Sequence, residues 1–268
     1  MADPSGKGLD GAILAVMRRS VEELRAFYGE PAGQVVRRLI ARRLDDAWGE
    51  ATGCDVLGVG YAVPWLDGFV GARRQIAAMP GGQGAESWPP AGRNRSVLVD
   101  ERALPFAAGT FDRVLLVHAL EEADAPAMVL ADAVRVLAPA GRIILATAAR
   151  GGLWARAEST PFGHGRPFTR RQLETLVRQS GLEPSAWSQT LYVPPWRPLL
   201  GMADAFDQVG RSVAPGFAGL ILLEATRQAY ARVRPGGVRA AIQGRPALQP
   251  VPATRTAPPT LAPRREPL

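Results

Sequence analysis

Asp100 and Glu101 stand side by side after the apolar run Val97-Leu98-Val99, and His118, Glu121 and Glu122 follow a second run, Val114-Leu115-Leu116-Val117. Carboxylates accept hydrogen bonds from amino groups, and a histidine can take or give a proton near neutral pH. Short apolar runs that stop at polar residues read as buried strands. In an open α/β sheet, ligands sit at the carboxyl ends of the strands. Asp100, Glu101, His118 and Glu121 are therefore expected to face one crevice. A third group, Gly58-Val59-Gly60-Tyr61-Ala62, ends another apolar run and precedes a helical segment. Glycines there let the backbone approach a ligand, and the helix end offers free N–H groups. One cysteine, Cys54, and two histidines are too few for a His/Cys metal cluster, so no metal is expected.

The elements that must position these residues can be read from spacing. Ser20-Val21-Glu22-Glu23 fits a capping box and starts a helix that stops at Gly29. Pro31 opens a second helix, with Val35, Val36, Leu39, Ile40, Leu44 and Trp48 at helical spacing. Strands are expected at 55–60, 74–79, 96–99, 112–117 and 142–148, with a turn at Pro139-Ala140-Gly141 between the last of these and a helix over 125–137. A helix over 63–71 should follow the first strand. Another is capped at Thr169 and ends near Gly181, and one more covers 199–213. A final strand is expected at 219–225, after a Pro-rich corner at 194–198. Alternating strands and helices give a doubly wound, mostly parallel α/β sheet. The domain is expected to run from 17 to 232, between a disordered N-terminus over 1–16 and a disordered Pro/Arg-rich tail over 233–268.

From about Cys54 to Leu182 the sequence resembles the type 11 methyltransferase domain of the class I S-adenosylmethionine (SAM)-dependent methyltransferases. Asp100-Glu101, Leu104-Pro105-Phe106, Phe111-Asp112 and Leu120-Glu121 carry the resemblance. It implies a Rossmann-like fold, SAM as cofactor and methyl transfer to a small molecule. It implies that Asp100 accepts a hydrogen bond from the adenine amino group and that the Glu101 backbone N–H meets the ring. It places Gly58, Gly60, Tyr61 and His118 along the rest of the cofactor, with His118 the first candidate base and His164 the second. Tyr28 lies in a region that closes over the cofactor in many relatives. The chain also departs from the pattern. Val56 and Ala62 replace the acid and third glycine of the glycine loop, and Glu122 replaces a common histidine. Strand two ends in Met79-Pro80-Gly81-Gly82 with no acid for the ribose hydroxyls. Glu86 and Trp88 are candidate substitutes, and the missing acid counts equally against NAD.

The 268 residues carry a net charge of +7. Seven arginines and one acid from Arg232 onward account for +6 of it. The rest of the chain is close to neutral, and no aromatic-basic interleaving of an RNA-binding module is present, so nucleic acid is not an expected partner. No apolar run approaches membrane-spanning length, and the stretch Ala12–Met17 lacks the pattern of an export signal. A cytoplasmic location is the expectation. The rival reading is a non-catalytic relative that keeps the fold and binds a partner.

Overall fold

The computed structural model describes residues 18–227. Ser20 caps α1 (Val21–Gly29): its hydroxyl accepts from the Glu23 N–H, and the Glu23 carboxylate accepts from the Ser20 N–H. Pro31 then opens α2 (Pro31–Trp48), which buries Val36, Leu39, Ile40 and Leu44. Seven strands follow: β1 (Asp55–Gly60), β2 (Arg74–Pro80), β3 (Ser96–Val99), β4 (Phe111–Val117), β5 (Leu137–Ala148), β6 (Leu182–Thr190) and β7 (Leu220–Arg227). They form one sheet in the order β3-β2-β1-β4-β5-β7-β6, with β7 antiparallel to both neighbours and the other pairs parallel. The sequence expectation of a doubly wound, mostly parallel sheet holds.

Side-chain alternation along the strands separates two apolar layers. Val56, Met79, Leu115, Ile144 and Leu222 face α1 and α2. Leu57, Ala78, Leu116, Leu145 and Leu223 face the opposite layer, where Val129, Leu130, Leu173 and Val177 belong to α4 (Pro126–Val136) and α5 (Arg170–Gln179). Between β1 and β4 the chain order reverses, which puts a topological switch at the carboxyl end of β1.

Three expectations need correction. The helix after β1 is a single turn, α3 (Val63–Leu66). Gly68 and Gly71, the latter at φ +76, end it early. The expected turn at Pro139–Gly141 lies inside β5, which starts at Leu137 opposite Phe111 and absorbs the proline in a register shift between Phe111 and Arg113. The segment 199–213 is 3₁₀ over Arg197–Met202 and α-helical only in α6 (Ala203–Val213). Among the described residues, no helix is long and apolar enough to cross a membrane. The expectations for the N-terminus over 1–16 and the tail over 233–268 fall outside the described residues.

Candidate functional site

The carboxyl ends of β2, β3 and β4 meet around a cleft of about 650 Å³. Gly81 and Gly82 come from the end of β2, Asp100–Arg102 from the end of β3, and Glu122, Asp124 and Ala125 from the loop after β4. Arg18 closes one side. Four acids and two arginines thus line the space. Each arginine already holds one acid: Arg18 bonds Glu101 at 2.7 Å, and Arg102 bonds Asp100 at 3.1 Å. Among the described residues, Glu122 and Asp124 have no salt-bridge partner. The cleft therefore favours a cationic ligand over an anionic one.

Asp100 and Glu101 sit where the sequence places them. The Asp100 side chain is half exposed, and its Oδ1 also accepts the Arg102 backbone N–H at 2.9 Å, an Asx-type turn that shapes the cleft rim. The Arg102 guanidinium and backbone N–H hold the Asp100 carboxyl below the usual range.

The other predicted residues gather beside the cleft but do not line it. Gly58 and Gly60 pack tightly: a Cβ on Gly60, at φ +83, would lie 2.2 Å from the Val117 carbonyl oxygen. Tyr61 is buried, stacks on Tyr28 at 5.7 Å and donates its hydroxyl to Glu86 at 2.9 Å. Tyr28 and His118 share a hydrogen bond of 2.7 Å at Nε2, and the imidazole also lies 4.8 Å from the Phe162 ring. Burial pulls the His118 pKa down to about 3, so the ring is neutral and a weak proton acceptor. The His118 backbone is unusual, a non-glycine residue at φ +50. Its carbonyl accepts from Arg18 at 3.3 Å. His164 contacts Arg19 and the Glu158 carbonyl. Glu86 reaches back to Tyr61 rather than into the cleft, and Trp88 is buried in the apolar layer beneath α1.

Orphaned polar atoms mark the same edge of the sheet. Glu121 Oε1 accepts the Ala148 N–H at 3.0 Å, but Oε2 finds no partner among the described residues. Glu122 Oε2 accepts the Arg19 N–H at 3.0 Å, while its Oε1 is likewise unpaired among them. Gln83 Oε1 is buried and unpaired too. Burial pushes Glu121 up to about 7 and also raises Glu122. Buried unpaired oxygens are costly, and a polar ligand is one way to satisfy them.

Arg18, Gly81, Gly82, Arg102 and Asp124 are among the lining residues that spacing did not single out as site residues. Arg18 bonds groups about a hundred positions away, and its only local signal is its place just before the Ser20 cap.

Residues 74–145 match the family model described as "Methyltransferase domain". No curated protein matches the chain. Among solved structures, the chain is similar to a SAM-dependent methyltransferase from Thermotoga maritima, described as a possible histamine N-methyltransferase. There the TM-score is 0.56 at 15% identity, covering 78% of this chain and 96% of that one. A SAM-dependent methyltransferase from Mesorhizobium loti gives 0.52 at 13% identity, covering 69% and 96%. One from Aquifex aeolicus gives 0.52 at 12% identity, covering 76% and 96%.

Proposed function

We propose that this chain, which has the fold of the class I SAM-dependent methyltransferases, binds SAM in the cleft at Asp100–Arg102 and methylates a small molecule. The observation that carries this reading is the acidic lining of the cleft. SAM brings a sulfonium and an ammonium group, whereas NAD brings a pyrophosphate dianion that Asp100, Glu101, Glu122 and Asp124 would repel. The unpaired oxygen of Glu122, which lines the cleft, fits the same cationic ligand.

When bound, SAM supplies a methyl group already activated for displacement. The protein's own work is orientation and exclusion of water. Asp100 accepts a hydrogen bond from the adenine end, and the Glu101 backbone frames the ring. Gly58, Gly60 and Tyr61 set the shape of the β1 end from behind. His118 contributes through its carbonyl. Its ring is neutral and bonded to Tyr28, so it is a weak base for an acceptor that must lose a proton, with His164 the second candidate. The proposed setting is a soluble cytoplasmic one, with no nucleic-acid partner.

Titration calorimetry of the full chain with SAM and with NAD tests the reading. Heat is expected from SAM alone. Binding of NAD would overturn the reading, and silence from both would leave the non-catalytic alternative in front. Asp100→Ala is expected to weaken SAM by about 1.5–3 kcal/mol, roughly ten- to a hundredfold, for loss of one charge-assisted bond. The melting temperature should stay unchanged, because Asp100 is half exposed. Gly81→Asp is expected to tighten SAM severalfold by giving the ribose the carboxylate that β2 lacks. A Cβ there meets nothing nearer than the Val99 carbonyl at 3.8 Å, so the same titration on a normally folded variant reads the effect. Met79 is unsuitable for this purpose: it is fully buried, and an aspartate there would be an unpaired charge in the core.

A further inference from the structure

We propose that Arg18 is a built-in cation that closes one side of the cleft, between the ends of β3 and β4, and gives way to the cationic group of the incoming ligand. The proposal rests on the reading of this cleft as the SAM site. The Arg18 side chain is only 7% exposed although it forms part of the cleft wall. Its guanidinium bonds three acceptors that no strand uses: Glu101 Oε1 at 2.7 Å, the Ala119 carbonyl at 3.2 Å and the His118 carbonyl at 3.3 Å. A carboxylate flanked by two inward carbonyls is a receptor for a cation. An ammonium or sulfonium group entering there meets the same oxygens, so it and Arg18 exclude one another.

Only the Arg18 side chain has to move. Two of its three bonds are long, and the backbone is tied across the cleft mouth at two further points, Arg19 N–H to Glu122 Oε2 and Val21 N–H to the Gln83 carbonyl. Gly82 lies directly beneath, where even an added Cβ would stay 3.6 Å from Arg18 Cδ. The helix that follows does not depend on Arg18, because Ser20 and Glu23 satisfy its first turn by themselves. Release of Arg18 therefore leaves α1 in place. A site competent only in the released state binds with an affinity reduced by the fraction released.

The test compares full-length wild type with Arg18→Ala, and with Arg18→Gln as a second variant, each checked by thermal melting. SAM is titrated by calorimetry, and methylguanidine serves as the probe for the vacated position. Both variants are expected to bind SAM at least tenfold more tightly than wild type. Methylguanidine should bind Arg18→Ala but not wild type, and should weaken SAM binding by that variant. Equal or weaker SAM binding by folded variants, with wild type binding normally, overturns the displacement and leaves the SAM reading standing. Failure of every protein to bind SAM overturns both.

Discussion

Replacing Asp207 with alanine is expected to lower the melting temperature by roughly 10 °C. Asp207 is buried on α6. Its Oδ1 accepts the Thr190 hydroxyl at 2.9 Å and the Leu191 N–H at 2.8 Å, and its Oδ2 pairs with Arg43 of α2. Leu191 itself is held at φ +67, a conformation that a leucine rarely adopts. Among α6 residues only Ala203 is buried with it. One carboxylate thus ties the excursion between β6 and β7 to the sheet and to α2. Removing a partner from a buried pair costs about 3–5 kcal/mol; here the Thr190 hydroxyl and the Leu191 N–H lose their acceptor and, among the described residues, Arg43 keeps only Asp46 at 3.4 Å. For a domain of this size each kcal/mol is worth about 2–4 °C. Asp207→Asn, which keeps the Oδ1 acceptor, should lose less. A shift under 3 °C in the alanine variant's thermal scan would mean that apolar contact alone docks α6.

Glu121→Gln is expected to stabilise the protein by about 3 kcal/mol at pH 8 and by little at pH 5. Burial raises the folded-state pKa of Glu121 from its ordinary 4.5 to about 7. Below 4.5 the carboxyl is protonated in both states and contributes nothing. As pH rises from 4.5 towards 7 the unfolded chain releases the proton and the folded chain keeps it, so stability falls. Above 7 the loss is complete and constant. Glutamine retains the oxygen that accepts the Ala148 N–H and removes the titration. Urea unfolding at both pH values reads the difference. The same gap at pH 5 and pH 8 would show that Glu121 is not held protonated. His118 titrates in both proteins, with stability lost as pH falls from about 6.5 towards 3, so it cancels in the comparison.

The sequence by itself determined the sheet and the acidic rim. Apolar runs ending in polar residues marked β3 and β4, and runs ending in glycines marked β1 and β2, because a strand covered on both faces must be largely apolar. The Ser20 and Thr169 capping boxes fixed two helix starts, because a side chain three residues from its partner satisfies a local need. Asp100 and Glu101 fell at the cleft because the end of a strand is a local event. Tertiary structure alone decided the rest. The crossover after β1 shrank to one turn, and Pro139 entered a strand, since pairing with Phe111 outweighed the turn preference. Tyr61 and His118 turned into an aromatic cluster with Tyr28, and Arg18 into the cleft. Those choices join residues 33 to 101 positions apart. No spacing rule along the chain records which distant carbonyl or ring a side chain will meet.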